Sequence, residues 1–170
     1  MTIGSAAALL VASAACAIDI RERRIPNVLT FGTAALGLLY RLGSSGLDGV
    51  MTGMTGCLLG MALLILPYAL GGLGAGDVKL LGALGAWLGP PDVFWVAMYT
   101  GLAGGVLALI VALARGYLRQ AWLNVWLLLT HWRVMGLRPM SELTLETSQG
   151  PRLAYAVPIL AGTIVTIWLR

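Results

Sequence analysis

An all-α integral membrane fold is predicted by three observations. Of 170 residues, 59% are hydrophobic and only 11% are charged, against roughly 25% charged in soluble domains. The apolar residues gather into runs separated by short polar segments, at about 2–19, 27–42, 50–70, 77–89, 93–114 and 153–169. The basic residues fall between those runs, and with alternate loops on opposite sides they concentrate on one side. Together these predict one polytopic membrane domain over 1–170, with about six transmembrane helices and the N-terminus outside.

The first run is a retained helix rather than a cleaved signal, because Met1 to Ile18 carries no Lys or Arg and the basic cluster follows it. Pro26 suits the first turn of the second helix. The fourth run, stopped by Gly89-Pro90-Pro91, has only thirteen residues. At about 1.5 Å per residue it covers roughly 20 Å of a core about 30 Å thick, so Asp77 can sit below the membrane face. Residues near 117–137 form an amphipathic interfacial segment, with Trp122, Trp126 and Leu129 on one face and Arg115, Arg119, Asn124 and Arg133 elsewhere. Counting 117–133 as a seventh span would weaken the charge asymmetry from nine against two to seven against four. Pro158 is expected to kink the last helix.

Composition also excludes. The net charge of +4 is spread over loops, which positive-inside topology explains without nucleic acid. Cys16 and Cys57 lie inside apolar runs with no C-x-x-C pair, and His131 has no partner at ligand spacing, so no metal and no cofactor are expected. The pairs Gly56/Gly60, Gly85/Gly89 and Gly101/Gly105 are spaced for close helix contact in lipid.

Two of the seven acidic residues stand where hydrophobicity breaks. Asp19 closes the first run, in Ala17-Ile18-Asp19-Ile20-Arg21-Glu22-Arg23-Arg24-Ile25-Pro26-Asn27. Asp77 follows Gly71-Gly72-Leu73-Gly74-Ala75-Gly76 and precedes Val78-Lys79. With six spans both lie at cytoplasmic helix ends. Two carboxylates sharing a site cannot both ionise cheaply, so one acts as base and the other as acid on a single water. That is peptide hydrolysis without a metal. The glycine strip can lie against an extended peptide. The alternative is structural: Asp77 caps its helix and Asp19 pairs with Arg23, four residues on. Nucleotide binding is disfavoured, since neither G-x-x-x-x-G-K-[ST] nor G-x-G-x-x-G occurs.

Gly74-Ala75-Gly76-Asp77-Val78-Lys79 resembles the G-x-G-D-x-K signature of type IV prepilin peptidases, bacterial aspartic proteases of the GxGD class. Asp19 through Asn27 resembles their first motif, and Leu153-Ala154-Tyr155-Ala156-Val157-Pro158 resembles their last helix. The resemblance implies that Asp19 and Asp77 are the catalytic pair and that Gly74, Gly76 and Lys79 belong to the active-site loop. Two residues past Asp77, Lys79 is turned away from it and is expected to snorkel to the interface.

The implied activity is removal of the short basic leader of prepilins or pseudopilins, at the cytoplasmic face of the bacterial inner membrane. The implied partners are that substrate and the lipid bilayer. Glu22, Glu142 and Glu146 could attract a basic leader. The sequence begins at the first catalytic helix with no paired C-x-x-C motifs, which resembles the short Tad/Flp pilus forms, so no methyltransferase activity is expected. Two other readings stay open: a non-catalytic assembly subunit or small transporter using the aspartates for ion binding or helix packing, and an intramembrane protease for signal-peptide remnants or preflagellin-like proteins.

Overall fold

The computed structural model describes residues 2–116, 118–136 and 154–170. Every regular element among them is a helix: α1 (Ile3–Glu22), α2 (Asn27–Ala69), α3 (Ala75–Leu88), α4 (Pro90–Ala114), α5 (Leu118–Met135) and α6 (Ala156–Leu169). By length and composition, α1, α2 and α4 qualify to cross a membrane, and α6 is a shorter apolar helix.

The expected second and third runs are both contained in α2, which breaks at Gly46. There φ is 61° and ψ is −146°, a backbone region essentially confined to glycine. The chain reverses at this break. Along the first arm Asn27 meets Lys79 and Thr33 meets Trp87, so that arm runs beside α3 in the same direction. Along the second arm Gly53 faces Ala86, Gly56 faces Gly85 and Gly60 faces Leu81, so it runs the opposite way. A Cβ on Gly56 or Gly85 would run into the facing backbone, so the seam depends on bare glycine.

The helix α3 is the centre of the bundle. Leu80, Leu81 and Leu84 are fully buried and pack with Ala8, Ala12 and Ala15 of α1, Val93 and Val96 of α4, and Ile159 of α6. A helix covered on all sides by protein is apolar all round, and its fourteen residues need not match a lipid thickness. α4 and α6 are antiparallel: Gly162 packs on Thr100, Gly104 on the ring of Tyr155, and Arg170 pairs with Asp92 at 3.3 Å.

Three sequence expectations change. Gly101 and Gly105 have nothing within 4 Å of a built Cβ, because they lie on the exposed face of α4 while Gly104 makes the contact. Pro158 does not kink α6. It is the third residue of a helix that starts at Ala156, where its missing N–H would have had no intrahelical acceptor. The proline inside a helix is Pro67 in α2. Pro26 is one residue early, as the N-cap of α2 with φ −63°.

The amphipathic segment is helical as α5, with Trp122 and Trp126 exposed. Leu153, Arg138, Arg152, Glu142 and Glu146 lie outside the described residues.

Candidate active site

Asp19 sits in the last turn of α1, where the chain leaves the helix through Arg23 in the left-handed region, φ 54° and ψ 33°. The N–H of Arg23 donates to the backbone carbonyl of Asp19 at 2.9 Å. Arg21, Arg23 and Arg24 are exposed by this turn, while Asp19 keeps only 8% exposure. The Asp19–Arg23 ion pair allowed by their spacing does not form among the described residues. Asp19 Oδ2 instead accepts from the backbone N–H of Ala156, at 3.3 Å, in the first turn of α6. Glu22 pairs with Arg24 at 3.6 Å.

Asp77 is the third residue of α3 and is also 8% exposed. Its Oδ2 reaches back to accept from the N–H of Gly74 at 3.1 Å, a reciprocal cap of the helix start. The capping role foreseen for Asp77 is therefore real, yet it uses one oxygen of two. Among the described residues the second oxygen of each aspartate makes no hydrogen bond.

Both glycines of the signature have a steric reason. A Cβ on Gly74 would stand 3.2 Å from Asp77 Oδ2, and a Cβ on Gly76 would stand 3.1 Å from Cβ of Ile25. Gly76 thus lets the Ile25-Pro26-Asn27 segment seat against the start of α3. Lys79 adds a second tie. Its Nζ donates to Asn27 Oδ1 at 2.9 Å and lies 5.3 Å from the centre of the Phe31 ring. It joins the two motifs instead of simply snorkelling.

Asp19 and Asp77 therefore come from antiparallel helices to one end of the bundle. At the opposite end stand Gly4 against the Trp87 carbonyl, and Arg41. The N-terminus of α6 reaches this end of the bundle, where the Ala156 N–H holds Asp19. Sequence reasoning missed Ala156, Ile25 and Asn27 as parts of this site, although Ala156 stands inside the last-helix motif.

Two half-satisfied carboxyl groups in a buried setting can hold and polarise one water. No cluster of three or more His, Cys, Asp or Glu side chains occurs among the described residues.

The type IV leader peptidase family matches residues 6–109, which include both aspartates and both motifs. The chain belongs to that family. Among its relatives, the prepilin leader peptidase/N-methyltransferase of Pectobacterium carotovorum is 38% identical over 99 residues, covering 55% of this chain and 36% of that protein. The enzyme of the same name from Neisseria gonorrhoeae is 31% identical over 105 residues, covering 58% and 37%. The type 4 prepilin-like proteins leader peptide-processing enzyme of Escherichia coli O78:H11 is 32% identical over 118 residues, covering 63% and 44%. The chain thus spans under half the length of these relatives. No solved structure matches. For this leader peptidase family member, α5 and α6 lie beyond the matched segment, and the structure is what brings Ala156 to Asp19.

Proposed function

We propose that the chain is an intramembrane aspartic endopeptidase that removes the basic leader of prepilins or pseudopilins. The observation that carries this is the placement at one end of the bundle of two buried carboxyl groups, from α1 and α3, each with one oxygen held by a backbone N–H. The dyad shares a proton: the ionised member takes a proton from water as water attacks the scissile carbonyl, and the protonated member gives its proton to the carbonyl oxygen. The apparent pKa values belong to the pair. Gly74, Gly76 and Lys79 shape the loop that presents Asp77.

The proposed topology has six crossings, with the arms of α2 counted separately, the N-terminus outside and the site at the cytoplasmic face. Support comes from the basic residues at the aspartate end, Arg21, Arg23 and Arg24, which are exposed. At the far end Arg41 and Arg170 are engaged by protein groups. A leader with basic residues in the cytoplasm, followed by an apolar helix, would present its junction at that depth. The bacterial inner membrane is the proposed location.

The test is cleavage of a purified prepilin in lipid, read by mass spectrometry. Asp19→Asn and Asp77→Asn should each lose about 10²–10⁴-fold in rate, the range of general acid–base catalysis, while accumulating normally in membranes. Wild-type cleavage by either variant removes the reading. Orientation is checked with Arg23→Cys and an impermeant thiol reagent: labelling should require inside-out vesicles, and labelling of intact spheroplasts would reverse the topology.

A further inference from the structure

The two aspartates are held in different ways. Asp77 takes its hydrogen bond from Gly74, at the start of its own helix, at 3.1 Å. Asp19 takes its bond from Ala156, 137 residues further along the chain, at 3.3 Å. The turn that starts α3 therefore sets the Asp77 carboxyl locally, whereas the Asp19 carboxyl is set only when α6 docks. Ala156 is the first residue of α6 and is fully buried. Its N–H has no intrahelical acceptor and is shielded from solvent, so an acceptor from another helix must satisfy it. The preceding side chain seats this first turn. The ring of Tyr155 lies on Gly104 of α4, where a built Cβ would stand 3.1 Å from Cε2 and 3.5 Å from Cζ. A side chain at position 104 would push on the ring, and through it on the backbone that carries the Ala156 N–H.

We infer that Gly104 and Tyr155 are positioning residues for Asp19: the Tyr155 ring, seated on bare Gly104, places the Ala156 N–H that fixes the Asp19 carboxyl. This rests on the proteolytic reading above. Neither residue takes or gives a proton, and the part played by Tyr155 is that of its ring. A carboxyl at a helix end has several staggered rotamers open to it. A buried N–H on one oxygen selects one of them and leaves the other oxygen for the reaction. Holding a reacting group in place before substrate arrives removes that search from the chemical step. Loss of the hold therefore falls on kcat, while KM, which reports contacts made by the substrate elsewhere, changes little.

The direct test replaces the amide between Tyr155 and Ala156 with an ester, by placing lactic acid at position 156, and measures prepilin cleavage in lipid per folded molecule. The ester keeps the shape of the chain and removes only the donor. It should lose about 10-fold in kcat, the scale of one hydrogen bond to a carboxylate, with KM near wild type. Tyr155→Ala and Gly104→Val should lower kcat in the same way. Tyr155→Phe, which keeps the ring, should restore kcat to the wild-type range. Since all of these act through one bond, adding Tyr155→Ala to the ester should cost no more than the ester alone. Wild-type kcat in the ester overturns the inference, and so do losses that multiply or a Tyr155→Phe as slow as Tyr155→Ala. Tyr155→Ala that folds poorly but cleaves at the wild-type kcat per folded molecule also overturns it, leaving packing as its whole role. If Tyr155→Ala does not accumulate, the ester decides by the same criteria. Asp19→Asn keeps the two readings apart. Its inactivity beside a fully active ester removes the positioning role alone, whereas its full activity removes the proteolytic reading and this inference with it.

Discussion

The two ends of this bundle treat their polar groups in opposite ways. At the end holding the Gly46 reversal, the functional groups are spent inside the protein. Arg41 donates from Nε to the carbonyl of Ala86 at 2.9 Å and from Nη2 to that of Trp87 at 2.8 Å, covering carbonyls that the last turn of α3 leaves open. Trp87 Nε1 donates to the carbonyl of Thr33 at 2.8 Å and its ring stacks on Tyr40, 5.6 Å between centres. Arg170 pairs with Asp92.

At the other end Asp19 and Asp77 each use one carboxyl oxygen in a hydrogen bond and, among the described residues, leave the second without one. Satisfied groups hold helices in register, while a half-satisfied buried network is costly and persists where a function needs it. The contrast separates stability from chemistry along the axis of one small bundle.

That separation is open to attack with substitutions at graded distance from the aspartates. Gly85→Ala should have the largest effect on stability, about 3 kcal/mol, because its Cβ would meet the backbone of Gly56; thermal unfolding in detergent measures this. Arg41→Met should cost about 2 kcal/mol by uncovering the end of α3, with kcat per folded molecule unchanged. A fall in kcat there would break the division between the ends. Lys79→Met removes the tie to Asn27 and should cost about 1 kcal/mol. It should also lower kcat several-fold, since that tie seats the Asp19 segment against α3. Asn27→Ala should match it, and the double variant should be little worse than either single; additive losses would mean that the Lys79–Asn27 bond is not the shared cause.

Much of this architecture was legible in the chain because lipid restricts what an apolar run can do. The break before Asp77 and the stop at Gly89-Pro90-Pro91 reappear as helix ends, whereas the gap between the second and third runs lies inside α2 as the break at Gly46. The two aspartates were legible because ionisable residues are rare in such a sequence. The remainder depended on which face each helix turns, and spacing does not encode that. Gly101/Gly105 had the right interval on the wrong face, whereas Gly104, without that spacing, made the contact. Arg41 read as a loop charge, since the hairpin that brings it to the α3 C-terminus exists only after the reversal at Gly46. Ala156 is far from Asp19 in sequence and becomes its neighbour only through the docking of α6.

The central claim is that the carboxyl groups of Asp19 and Asp77 act as one unit on one peptide bond. The most direct measurement compares the single-turnover cleavage rates of Asp19→Asn, Asp77→Asn and the double variant, each normalised to folded protein in the membrane. Groups that act together lose their effect together, so the double variant should cleave no more slowly than the slower single. Losses that multiply, or a single variant that cleaves at the wild-type rate, would contradict the account.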